Sequence, residues 1–220
     1  MNEIDFLLWV KGSAFTIAVA IFIIGMLLKL FEIVSLGRKE DYAKPRGNPI
    51  KGGFHEMWRR FLPVDKQTFE RSAVTVIAGY MFHIGLFVVV FFFVPHILLV
   101  DSLLGLSWPA LPTPIIDAFA VITMVALIAA LIHRLVHPVK RYLSTIMDYV
   151  VWTVTFLPVL TGYMAFHHLL LSNNMLIALH ILSVEILLIL IPFSKLSHVM
   201  TTFMARWYTG TTMGARGVKS

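Results

Sequence analysis

The stretch Ala178–Val199 reads ALHILSVEILLILIPFSKLSHV, with a single acid, Glu185, among its aliphatic residues. A run this long and this apolar predicts a membrane-spanning helix over about 175–197. His180 and His198 stand 18 residues apart in it. Eighteen residues make about five turns, so a continuous helix puts both imidazoles on one face, about 27 Å apart. With a bilayer core about 30 Å thick, one ring falls near each surface.

The rest of the chain has the same character. It is 58% apolar with a mean hydropathy of +0.83, the composition of a membrane protein. Five apolar runs are long enough to span, at about 9–35, 73–100, 115–136, 147–170 and 175–197. In lipid only helices or closed barrels satisfy every backbone group, and these runs are too long and too evenly apolar for barrel strands. The expected fold is an all-α membrane protein: one domain over 1–220, a five-helix transmembrane bundle. The first run follows the acidic MNEIDFLLW, where a signal peptide would be basic, so it reads as a retained span.

Charge sets the expected orientation. The net charge is +6, and nine basic residues lie in the loop after the first span: Arg38, Lys39, Lys44, Arg46, Lys51, Arg59, Arg60, Lys66 and Arg71. Arg134, Lys140 and Arg141 follow the third span, and Lys195, Arg206, Arg216 and Lys219 lie at the C-terminal end. The opposite loops, about 101–114 and 168–175, hold no lysine or arginine. The positive-inside rule then puts the N-terminus outside, and the 38–71 loop and the C-terminus in the cytoplasm. Such a face contacts anionic lipid, and the long, mixed-charge 38–71 loop suits a protein partner. Nucleic acid is not expected, because the charge is what any inner membrane face carries. FHEMWRRFLP, at 54–63, mixes aromatic and basic residues like an interfacial helix. His55 within it reads as a surface residue, and TGTTMGARGVKS at the end reads as a mobile tail.

The histidines are the chemically informative residues. A histidine deep in a membrane helix is costly and usually functional. GYMFHIGLFVVVFFFVPHILL, at 79–99, carries His83 and His96. Imidazoles on two spans, at two depths, are the ligands two stacked haems in a membrane require. The chain has no cysteine. It therefore cannot ligate a thiolate iron–sulfur cluster, attach haem through CxxCH or form a disulfide. His83, His180 and His198 are the firm candidates for haem iron. His96 lies 13 residues, or about 20 Å of helix, from His83 and off its face, though Pro95 gives it a way to swing round. His167 and His168, at the end of the fourth span, compete with it. His133 and His137, four apart with no third ligand, read as interfacial. Glu185 has two open readings, proton relay or helix–helix hydrogen bond. Asp101, at the outer end of the second span, is a candidate proton acceptor.

Several of these pieces occur together in one family. FHIG at 82–85, Arg134 to Pro138 with Arg141, Ser144 and Asp148 after them, TG at 161–162, and HILSVEILLILIPFSKLSH at 180–198 resemble the membrane gamma subunit of respiratory nitrate reductase. They equally resemble the related haem b subunits of sulfur-metabolism membrane complexes. The resemblance covers most of the chain. It implies a quinol-linked cytochrome with two bis-histidine haems b, His83 pairing with His198 and an outer histidine of the second span with His180. The family places that outer histidine ten residues after the first. Here that position is Phe93, and the nearest histidine is His96. The implied role is electron transfer between quinone and a cytoplasmic iron–sulfur subunit, in the inner (plasma) membrane, with no catalytic residue of its own. The alternatives are the haem b anchor of a hydrogenase or formate dehydrogenase, or a haem-free anchor or transporter.

Overall fold

The computed structural model describes residues 2–37, 41–59, 61 and 66–218. Arg38, Lys39, Arg60 and Lys219 lie outside the described residues. The described residues form helices and no strand. Five of the helices are long and apolar enough to cross a membrane: Glu3–Ser35, Phe69–Phe92, Thr113–Val136, Ile146–Phe166 and Asn173–Leu190. The chain is thus an all-helical, multi-pass membrane protein.

In chain order the elements are α1 (Glu3–Trp9), a π-helical turn (Val10–Ala14), α2 (Phe15–Ser35), α3 (Pro49–Arg59), α4 (Lys66–Phe92), α5 (Val94–Leu104), α6 (Thr113–Val136), α7 (Pro138–Leu143), α8 (Ile146–Phe166) and α9 (Asn173–Leu190). A 3₁₀ turn (Lys195–Ser197) and α10 (His198–Ala215) complete the chain. They fall into two compact units, Met1–Ile17 with Ser72–Leu187, and Ala18–Arg71 with Leu188–Ser220.

In the first unit small or hydroxylated residues such as Ala78, Ala120, Thr123, Ala126, Thr155, Ala178 and Ser183 are buried beside Ile97, Ile116, Leu127 and Leu176, while Phe87, Leu98, Val125 and Ile132 face outward. Large apolar residues facing outward are what lipid selects, and the small buried ones allow close backbone approach. Gly85 of FHIG shows why a glycine is needed: a Cβ there would run into the Thr123 hydroxyl and lie 3.0 Å from the Phe119 carbonyl of α6. Trp152 ties α8 to α6, donating to the Leu127 carbonyl at 2.8 Å.

At the other end of α6, the residues from Arg134 to Asp148 form one polar network. Arg134 donates to Ser144 Oγ at 2.9 Å and lies 3.4 Å from the Asp148 carboxylate. Asp148 also accepts from the Thr145 amide at 2.9 Å, closing a capping box on α8. Pro138 opens α7, which places Lys140 to donate to Thr75 Oγ1 of α4. Burial of the Lys140 ammonium, and then the charge of Arg134, lower its pKa.

Two expected spans are interrupted. The run 73–100 is not one helix: α4 ends at Phe92, Phe93 is extended, and α5 restarts with Pro95 in its first turn. Pro95 has no amide to donate to the Phe91 carbonyl four residues back, and its ring crowds that carbonyl. Likewise 175–197 is not one helix. The chain leaves α9 at Leu190, turns through Ile191–Ser194 around Pro192, and Ser194 caps the 3₁₀ turn through the Leu196 amide. His198 begins a new helix, so the shared-face argument linking it to His180 through helical phase does not hold.

In the second unit Gly25 of α2 meets Pro192 so closely that a Cβ would lie 2.6 Å from its ring. The expected mobile tail is instead helical as far as Ala215. Gly210 and Gly214 of α10 pack on Gly52 and Gly53 of α3, where a Cβ on Gly214 would lie 2.9 Å from Gly52 Cα. Small residues four apart allow this backbone contact. Arg216 reaches back to Asp41 at 3.2 Å. The Ala43 amide first, and then Arg216, hold the Asp41 carboxyl below its ordinary pKa.

Candidate functional site

The interruption at Phe93 builds the site. When α4 stops, its last carbonyls lose their helical donors. Each finds another. The Phe91 carbonyl accepts from the Trp108 indole at 2.5 Å, and the Phe92 carbonyl accepts from the Leu111 amide at 3.1 Å. Val89 accepts at 3.0 Å from Nδ1–H of His96, whose ring thereby folds back along the helix it follows. A carbonyl can only accept, so the proton is on Nδ1 and the lone pair on Nε2.

His180 is fixed in the same way from α8. Its Nδ1 donates to the Pro158 carbonyl at 3.0 Å, a second use of that oxygen's two lone pairs. Around it, Thr161 donates to the Leu157 carbonyl at 2.7 Å and lies 3.1 Å from Ser183 Oγ, which donates to the His180 carbonyl at 2.7 Å. Gly162 leaves room for the ring: a Cβ there would lie 3.0 Å from His180 Cε1.

The rings of His96 and His180 come together, with centroids 6.1 Å apart and planes 23° from parallel. A metal held at about 2 Å from one nitrogen of each of two opposed imidazoles puts the ring centroids about 6 Å apart. Both rings are held by a carbonyl on Nδ1, and the pair could supply two ligands to one metal ion. Phe93 lies against His96 at 5.4 Å and against Phe166 at 5.4 Å, both edge-on. Aromatic rings thus continue from His96 to the end of α8.

The competing histidines sit differently. His167 uses Nε2 on the Asp117 carboxylate of α6 at 3.1 Å and packs on Tyr163 at 4.3 Å. His168 is exposed in the turn after α8 with φ +53°. Neither is brought against His180 as His96 is.

His83, in the first unit, donates Nδ1–H to the Gly79 carbonyl at 2.7 Å and lies between Phe82 and Phe87. His198, in the second unit, donates Nδ1–H to the Lys195 carbonyl at 2.8 Å. His133 and His137 face each other with centroids 5.3 Å apart, and no group of three or more potential metal-ligating side chains occurs among the described residues. Glu185 is buried, and its Oε1 has no hydrogen-bond partner there. Asp101 is exposed on α5, and His55 is exposed on α3.

Sequence reasoning missed the Asp117–His167 pair, because fifty residues separate its members and Asp117 lies in an otherwise apolar stretch. It also missed the hydroxyl cluster of Thr161 and Ser183. Their spacing from His180 on another helix carries no sequence signal, although TG at 161–162 was visible.

No family model matches the chain, and no solved structure matches it. A curated protein of Nitratidesulfovibrio vulgaris (strain Hildenborough), described only as "Protein", is 29% identical to it over 161 residues, 73% of this chain and 71% of that one.

Proposed function

We propose that the chain is a dihaem b-type membrane subunit of a respiratory complex. It exchanges electrons between the quinone pool and a cytoplasmic iron–sulfur partner subunit. The observation that carries this reading is the common state of four imidazoles. His83, His96, His180 and His198 each donate Nδ1–H to a backbone carbonyl, at 2.7–3.0 Å. A ring so held is directed, and Nε2 is the nitrogen that would ligate.

His96 and His180 would hold one haem, and His83 with His198 the other, the second pairing resting on the family resemblance. Bound haem supplies a one-electron carrier, while the protein supplies ligation, orientation and a dry setting. On the protein's side, the Val89 and Pro158 carbonyls fix ring rotation, Gly162 admits the His180 ring, and Phe93 and Phe166 exclude water beside His96.

The asymmetry of lysine and arginine puts the N-terminus outside and the C-terminus in the cytoplasm of an inner (plasma) membrane, with the partner on the basic face. The chain has no cysteine, so single introduced cysteines report topology cleanly. Labels added outside intact cells are expected to react at Leu106→Cys and not at Lys51→Cys or Arg216→Cys. Reaction at Arg216→Cys would reverse both the topology and the side of the partner.

The function is tested by adding a quinol analogue to the purified, oxidised chain in nanodiscs. Stoichiometric reduction of its haem, abolished in His180→Ala, is the expected outcome. A chain whose haem dithionite reduces and no quinol reduces would contradict the reading.

A further inference from the structure

Helix α3 is amphipathic the wrong way round for a helix in water. The face it turns onto α10 carries Gly52, Gly53 and Glu56, with Glu56 fully buried. The outward face carries Ile50, Phe54 and Trp58 at successive four-residue steps, Phe54 being 55% and Trp58 69% exposed. The apolar surface continues onto the partner helix. Phe61 lies 6.0 Å from Trp58 and 6.3 Å from Phe203 of α10, and Phe54 meets Trp207 edge-on at 5.2 Å.

The charges beside this surface have one sign. Lys51 and Arg59 flank it on α3, Arg59 also lying 3.6 Å from the buried Glu56 carboxylate, and Arg206 lies over the Phe61 ring at 4.6 Å with its Nη1 buried. Glu56 is the only acid on the two helices, and it is turned inward. An exposed surface of large apolar and aromatic residues, rimmed by cations and, among the described residues of α3 and α10, free of exposed acids, matches the headgroup–acyl boundary of an anionic leaflet.

Chain length keeps it there. Seven residues take the chain from Arg59 to Lys66, where α4 begins, at most about 25 Å of extended chain. Eight take it from the end of α9 to His198, about 29 Å at most. With five spans, these ends all lie on one side of the membrane.

We infer that α3 and α10 form a glycine-packed helical pair lying in the membrane interface, with Ile50, Phe54, Trp58, Phe61 and Phe203 inserted into lipid and Lys51, Arg59 and Arg206 at anionic headgroups. The occupant of this surface is lipid, not a protein partner, and the assignment does not depend on any cofactor.

Nitroxide labels on single introduced cysteines at positions 50, 51, 54, 55, 58 and 203 test it, using the full chain in nanodiscs containing phosphatidylglycerol. All six side chains are exposed, and none of them is fully buried by its neighbours. At 50, 54, 58 and 203, collision with oxygen should exceed collision with a water-soluble nickel chelate several-fold, and at 51 and 55 the order should reverse. Nickel access at the four apolar positions would put the pair in water. Low access to both reagents there would put a protein over it. Either result overturns the inference. As a second readout, brominated lipid should quench tryptophan fluorescence less in Trp58→Phe than in the parent chain, and equal quenching in the two would also overturn it.

Discussion

Replacing His180 with alanine should reduce the haem content from two per chain to one, and replacing His96 should remove the same haem. The two rings are 6.1 Å apart, each locked by a carbonyl on Nδ1, so loss of either would leave the proposed haem a single protein ligand. The effect should be near complete, because alanine offers no donor atom and no neighbouring histidine is placed to substitute. His167 is held on Asp117 through Nε2, and His167→Ala should leave both haems in place. Gly162→Val should mimic His180→Ala in part, since even its Cβ would press on the ring at 3.0 Å. Haem per chain and the reduced α-band measure all four variants. Imidazole added to His180→Gly distinguishes a lost ligand from a lost fold, because it should restore a low-spin spectrum. If His96→Ala keeps two haems with unchanged spectra, its ligand position belongs to another residue.

His83→Ala and His198→Ala should each remove the other haem, and the two variants should lose the component of the same midpoint potential. His83 lies in the FHIG piece and His198 directly after PFSKLS. Both rings donate Nδ1–H to a carbonyl of their own chain segment, three or four residues earlier. Redox titration of each variant against the parent makes the comparison. Loss of components with different potentials would break the pairing while leaving the individual ligands standing.

The five spans were legible because each is an apolar run longer than a soluble protein tolerates, and lipid leaves the backbone few choices. The kink at Pro95 was legible, whereas the break at Pro192 was not, and neither proline showed what would follow from it. Pro95 and Pro192 are visible in the sequence, but a proline states only that an amide is missing. It does not state which carbonyls are orphaned or what will satisfy them. That outcome needs Trp108, Leu111 and the His96 ring itself, which come together only after α5 has turned. The same limit explains the error over His198. A phase argument assumes an unbroken helix, and the turn at Ile191–Ser194 resets the phase. The C-terminal glycines were misread because small residues signal mobility and close helix packing equally, and only the facing Gly52 and Gly53 decide between them. The candidate histidines themselves were legible from chemistry, as imidazoles at membrane depth need a reason to be there.

The measurement closest to the central claim is the pyridine haemochrome spectrum of the purified, folded chain, with haem counted per polypeptide. Two non-covalent haems b per chain are expected, extractable with acid acetone because no cysteine can anchor them, and low-spin before extraction, as two imidazoles on each iron would make them. A colourless preparation with intact helical content would contradict the account.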